Sequence, residues 1–358
     1  MKINFLIGTK AQFIKTIPVV NEAIKNKMET SLIDLKQHPK TTKRLRKKIN
    51  NKCKFIDYSK NNKDLGTYSN LIIWFTFGIV KSIFIKNKHI KNTFCIVHGD
   101  TLSTLLGAII TKRNRGKLVL LEAGHRVPGM FKHFPESFVR YSVAKISDFL
   151  IANGEDQISQ LNEWKIKGKI IEISRNTIFD SLSLINIEKK NKEKKVTITI
   201  HRTENLNSKK IMNELVNTIL KIHHDLKITW YLHIPTKNKL KSYGLINKLK
   251  SAGILLNDLI PYEEFINEIY NSDFVITDGV GVVEECHILG IPTLVWRDEH
   301  FDSNHLFNDG KNLYLSEYSL EKSTNFFNNY EDYREDKNLE TINAPSKEVI
   351  EKLIQFAN

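Results

Sequence analysis

Eleven apolar runs of strand length, separated by stretches of helical periodicity, recur from residue 3 to residue 296. The first six are INFLI, SLIDL, FCIVH, LVLL, FLIAN and KIIEIS, and the last five are VTITI, ITWYLH, ILL, DFVITD and TLVW. Unbroken β-rich runs belong to strands buried on both faces, and the helical patterns between them, clearest at 101–113 and 136–146, supply the cover. Few architectures other than parallel sheets flanked by helices satisfy this alternation. Between the two series lies NIEKKNKEKK, a charged segment with no apolar face. With 358 residues available, the expectation is an α/β protein of two doubly wound, Rossmann-like domains. They should span 1–185 and 196–345, joined by a charged linker at 186–195. A C-terminal helix at 346–358 is placed to pack back on the first domain. Ligand is expected at the carboxyl ends of the strands, in the cleft between the domains.

A formal net charge of +14 favours anionic partners, although the abundance of Lys, Asn and Ile attributes part of it to a biased genome. Cys53, Cys95 and Cys286 show no metal-ligand spacing, and so sparse and odd a set fits a reducing compartment, the cytoplasm. The opening MKINFLIGTK turns into glycine too soon for a signal peptide. LIIWFTFGIVKSIFI, residues 71–85, falls short of the ~20 residues of a spanning helix and contains Lys81. It reads as a buried or interdomain helix, with peripheral membrane contact as the other reading. Basic residues lack the aromatic interleaving of a nucleic-acid platform, so no nucleic acid is expected. Neither zinc nor EF-hand spacing is present, and no metal or cofactor is expected.

Several apolar runs end abruptly in polar groups of differing chemistry. FCIVHGDT closes on His98, Gly99 and Asp100, and VLLEAGHR on Glu122, His125 and Arg126. IGTKAQFIK sets Lys10 and Lys15 on the helix that follows the first strand, where a phosphate could be met. Gln37 and His38 follow the second strand, and HFPESFVRY carries Glu136 and Arg140 one helical turn apart. TITIHRTENLN presents His201, Arg202, Glu204 and Asn205 within five positions, more than a plain turn requires. In VITDGVGVVEECHILGIP, Gly279 and Gly281 allow close backbone approach ahead of a helix, with Glu284 and Glu285 one turn in.

Taken in order, these segments resemble the UDP-N-acetylglucosamine 2-epimerase family. GTKAQ, KQH, HGDT, EAGHR, PESFVR, RNT, HRTEN and DGVGVVEE stand where the family carries its motifs, and HIPTKNKLKSYGL, with His233, resembles its His-Pro-Arg-Thr stretch. The resemblance implies the two-Rossmann architecture of the GT-B type, with a nucleotide sugar in the interdomain cleft. It implies inversion at C2 of a UDP-aminosugar by elimination and re-addition of UDP, for surface polysaccharide synthesis. Carried over residue by residue, Asp100, Glu122 and Glu136 become acid–base groups, and His201, Lys15 and Gly281 support the diphosphate. Glu285 would bind ribose, Arg202 and Glu204 would hold the site's shape, and Lys10, Arg126, Arg140, His233 and Gly279 would contact substrate. Gln37 and His38 match the family's activator segment. That pair leans toward the non-hydrolysing branch, and a homodimer is the expected assembly. The chain departs from the family at Lys10 for arginine, Gln12 for glutamate, Gly279-Val280-Gly281 for Ser-Gly-Gly, and EHFDSN after LVWRD. Those changes leave a GT-B glycosyltransferase as the alternative activity.

Overall fold

The computed structural model describes residues 1–65, 67–84, 87–125, 135–188, 193–222, 226–298, 307, 310–337 and 344–357. The chain divides into two compact units, Met1–Leu182 with Asn343–Asn358, and Ser183–Ile342.

Unit 1 is built on seven parallel strands: β1 (Lys2–Ile7), β2 (Glu29–Asp34), β3 (Lys54–Asp57), β4 (Phe94–His98), β5 (Lys117–Leu121), β6 (Phe149–Ala152) and β7 (Lys169–Glu172). Their spatial order is β3-β2-β1-β4-β5-β6-β7. Unit 2 carries six: β8 (Lys195–Thr199), β9 (Lys227–Leu232), β10 (Leu255–Asp258), β11 (Phe274–Thr277), β12 (Thr293–Val295) and β13 (Leu313–Leu315). They run in the order β10-β9-β8-β11-β12-β13. Both sheets are doubly wound about a reversal of strand order, between β1 and β4 in one and between β8 and β11 in the other. In such sheets the crevice outside the strand ends at that reversal is where ligands bind.

The strands are buried because their sequences are apolar on both faces. Every residue of β4 and of β11 is buried, and so are all but the first of β1. Val196, Ile198, Trp230, Phe274 and Ile276 centre the core of unit 2. Leu6, Val97, Leu106, Leu118 and Leu120 belong to that of unit 1. The helix Pro345–Gln355 returns to unit 1 and packs on the helix Lys10–Lys25. There Asp180 accepts from the Ser346 amide at 2.7 Å, and Glu348 from the Ser174 amide at 2.8 Å.

Three features depart from the sequence reading. β3 and β13 are additional strands, β3 an edge strand with one partly covered residue and β13 only three residues long. The charged segment is anchored at both ends. Asn271 donates to the Glu188 carbonyl at 2.8 Å, the Glu188 amide donates to Asn267 at 3.0 Å, and β8 already begins at Lys195. The third is the apolar helix, Tyr68–Phe84, which is not buried all round. Its inner face packs on the helix Leu102–Arg113, with Gly78 against Leu106. Its outer face leaves Ile72, Ile73, Phe77 and Phe84 between 54% and 80% exposed. Among the described residues no helix is long and apolar enough to cross a membrane, and no group of three or more His, Cys, Asp or Glu could hold a metal.

Candidate active site

At the reversal point of unit 1, Gln12 ties the two strand ends together. It is 2% exposed and lies in the first turn of the helix Lys10–Lys25, whose N-cap is Thr9. Its carboxamide oxygen accepts from the amides of Gly8 (2.8 Å) and Thr9 (3.1 Å) and from the Ser103 hydroxyl (2.9 Å). Its amide group donates to the His98 carbonyl (2.8 Å), Thr101 (3.1 Å) and Thr104 (2.9 Å). Every lone pair and proton of a buried carboxamide is thereby matched, which is what makes burial of a polar group tolerable. Glutamate here would lack the donor that faces the His98 carbonyl.

Next to this tie, Glu122 follows β5 with a backbone φ of +58°. Its turn is set by Gly124 (φ +85°), where a Cβ would stand 2.4 Å from the Gln157 carbonyl oxygen. Lys15 donates to Glu122 Oε1 at 2.5 Å and Asn176 to the same oxygen at 2.7 Å. His125 Nε2 is 3.4 Å from Oε1, and His98 Nε2 is 3.6 Å from Oε2. Burial alone would raise the Glu122 carboxyl, but Lys15, with His98 and His125 in support, holds it well below the usual carboxylate range. Burial also pushes His98 down to about 4, against the pull of Glu122. His98 is therefore neutral at pH 7, and Lys15 is the cation that keeps Glu122 ionised there. Asp100, beyond Gly99, receives Arg140 Nε at 2.7 Å and Nη2 at 2.6 Å, a strong charge-assisted contact. Glu136 opens the helix that carries Arg140.

The other unit 1 candidates are more dispersed. Lys10 is half-buried in the first turn of its helix. Gln37 is buried and accepts from the Ser103 amide at 3.2 Å, while the His38 amide donates to the Gly8 carbonyl at 2.8 Å. Burial lowers His38, with Asp64 opposing. Arg126 lies outside the described residues.

Unit 2 repeats the device with a carboxylate at the centre. Asp278, fully buried after β11, accepts from the amides of His201 (3.0 Å) and Arg202 (2.9 Å) and from Asn205 Nδ2 (2.8 Å). The end of β11 is thereby bound to the end of β8 across the reversal point. His201 Nδ1 is 3.4 Å from Asp278 and its side chain keeps 36% of its surface. Its ring stacks on His233 at 4.6 Å, and burial lowers it below its ordinary value, so it is neutral at pH 7. Glu204 stands 3.5 Å from Arg202 and 3.4 Å from Arg297. Gly279 caps the helix Val280–Leu289, and a Cβ on it would lie 2.5 Å from His201 Cε1. At Gly281 a Cβ would meet open space. Glu285 is buried and accepts from the Tyr262 hydroxyl at 2.8 Å.

The chain matches the family model described as UDP-N-acetylglucosamine 2-epimerase over residues 21–314. A protein of that name from Methanococcus maripaludis is 30% identical over 315 residues, covering 83% of each chain. The chain belongs to the UDP-N-acetylglucosamine 2-epimerase family. A 2-epimerase from Methanocaldococcus jannaschii is 28% identical, covering 83% of this chain and 84% of its own. The Methanocaldococcus jannaschii enzyme solved in complex with UDP-GlcNAc and UDP superposes with a TM-score of 0.78 at 24% identity, over 99% of this chain and 100% of that one. The Neisseria meningitidis enzyme solved with UDP-GlcNAc gives 0.77 at 21%, with the same coverage. These two likenesses show the fold, a two-domain α/β arrangement of the GT-B type.

Within this epimerase-family chain, the structure ties to the clusters of each unit three side chains that the reading of strand ends did not assign a role. Asn176, in RNT just after β7, holds Glu122, and its position at a strand end was the available signal. His98 is the last residue of β4 itself, where its buried register hides it among apolar neighbours. Tyr262 opens a helix far in sequence from Glu285, and no local spacing connects them.

Proposed function

We propose that this chain inverts C2 of UDP-N-acetylglucosamine, giving the manno epimer. A carboxylate removes the C2 proton as the C1–O bond to UDP breaks, leaving a 2-acetamidoglucal. UDP then adds back to C1 while a proton returns to C2 on the opposite face. Proton removal and return on two faces call for two groups, and Asp100, Glu122 and Glu136 are the candidates. The observation that carries the reading is Glu122, an ionised buried carboxylate at a strand end in a member of this family. Lys15 is proposed to turn from Glu122 to the substrate diphosphate. Losing that cation would raise the proton affinity of Glu122 when substrate is present. Neutral His201 and the helix start at Gly279–Gly281 would receive the diphosphate, whose negative charge grows as UDP departs. Glu285, oriented by Tyr262, is proposed for the ribose, and Lys10, Arg126, Arg140, Arg202, Glu204 and His233 for substrate contact and shape. Gln37 and His38 are proposed as an activator site, in keeping with the non-hydrolysing branch.

A cytoplasmic homodimer is proposed as the working form, with the outer face of the helix Tyr68–Phe84 as the surface that a second copy or a membrane would cover. Incubation with UDP-N-acetylglucosamine in heavy water tests the chemistry. Deuterium at C2 of recovered nucleotide sugar is the expected result. Release of free sugar would assign the hydrolysing branch, and transfer only with an acceptor would overturn the isomerase.

A further inference from the structure

The positive charge of this chain has a location. Residues 25–54 hold eleven Lys and Arg against two carboxylates, in a protein whose net charge is +14. A lysine-rich composition would spread such charge along the sequence, whereas here most of the excess falls in one short stretch. That stretch folds around a cavity of about 700 Å³ in unit 1, lined by Lys25, Lys27, Lys47, Lys48 and Lys52. No carboxylate lines it; the remaining wall is Asn21, Asn50, Ile24 and Ile49.

The walls are built. Asn21 donates to the Lys48 carbonyl at 3.2 Å and accepts from the Asn50 amide at 2.9 Å, while the Lys52 amide donates to Asn50 at 3.0 Å. Ile24 and Ile49 are 8% and 6% exposed. Lys27 holds φ +57°, a left-handed backbone that glycine adopts with less cost. Lys25 reaches Glu22 at 3.4 Å and stays 74% exposed. Lys27, Lys47 and Lys52 make no ion pair among the described residues. The segments forming the cavity precede β2 and β3, so it lies at the amino ends of the strands, away from Asp100 and Glu122 at the carboxyl ends.

We infer that this cavity binds a multiply charged phosphate ligand, presented either free or on lipid headgroups. Crowded ammonium groups repel one another, and an anion with several charges relieves more of that repulsion than a monovalent one. Phosphate oxygens also accept from several ammonium donors at once.

The test is calorimetric titration of the full chain with tripolyphosphate, in saturating UDP so that a nucleotide site elsewhere is filled. Binding that UDP does not compete away is expected. It should weaken at least ~10-fold in Lys27→Glu/Lys47→Glu/Lys52→Glu and change little in Lys209→Glu/Lys210→Glu/Lys221→Glu, which removes the same charge elsewhere. A Lys→Gln version of the first triple guards against misfolding and should show a smaller loss in the same direction. No uncompeted binding in the native chain, or equal loss in both Glu triples, would overturn the inference. Flotation with cardiolipin vesicles, whose headgroup carries two phosphates, that tripolyphosphate reverses assigns the lipid source, and uncompeted binding without flotation assigns the free one. Failure of UDP itself to bind would count against the proposed activity, and the comparison of the two Glu triples would then decide whether tripolyphosphate binds in this cavity.

Discussion

Glu122 sits in a backbone conformation that costs a non-glycine residue on the order of 1 kcal/mol, and it is buried as an anion. Both costs are tolerated because Gly124 pins the turn and Lys15 and Asn176 hold the carboxylate. Glu122→Gln should retain the shape but not the proton affinity, lowering turnover at least ~100-fold with a much smaller change in UDP affinity. Near-normal turnover would make the carboxylate a structural strand-end group. The same cluster makes the fold acid-sensitive. His98 titrates near 6.5 when unfolded and near 4 in the fold, so between those values the unfolded chain holds more protons. Stability therefore falls as pH drops from 6.5 toward 4, and Glu122, depressed from 4.5, adds a further loss below that. Urea midpoints measured from pH 7 to 5 should decline, and His98→Asn should flatten the slope. Gly279→Ala is expected to push the His201 ring off its place, because the new methyl would lie 2.5 Å from Cε1. Turnover should drop while the unfolding free energy read from urea titration changes by roughly 1 kcal/mol or less, since the ring's 36% accessible edge gives it room to move.

At the scale of elements, the two sheets were legible because their central strands are apolar on both faces and long enough to stand out. β3 and β13 were not, for physical reasons. KFID has three exposed residues at a sheet edge, and LYL is three residues flanked by polar ones. The strand ends that carry Asp100, Glu122 and His201 were readable as polar groups breaking apolar runs. The link between elements was not, since nothing in the sequence around Gln12 says that it joins β1 to β4. Gln12→Leu leaves the Gly8 and Thr9 amides without this partner, each costing ~1–3 kcal/mol when buried, while the His98 carbonyl keeps the Thr104 hydroxyl as a donor at 2.7 Å. A loss of about 3 kcal/mol or more by urea unfolding is expected. Gln12→Glu, which restores the residue of the family pattern, should be destabilised more as pH rises and the carboxylate ionises against the His98 carbonyl. A pH-independent loss would contradict that account.

At the scale of the whole molecule, the chain leaves unit 1 at Leu182 and comes back for the helix Pro345–Gln355. Val349, Ile350 and Leu353 on that helix are fully buried. Ending the chain before Ala344 forfeits their burial, at ~1.5–3 kcal/mol each. Unit 1 should therefore lose on the order of 5 kcal/mol, read as a lower midpoint for its unfolding. An unchanged midpoint would mean that the helix docks without supporting the core. The crossing also orders events on the ribosome. All of Ser183–Ile342 must be made before the closing helix emerges, which at ~5–20 residues per second takes roughly 8–32 s. Through that interval the older half of the polypeptide waits with a seam open on the helix Lys10–Lys25. The half begun first is thus the last to be finished, and it is the one that a chaperone would have reason to hold.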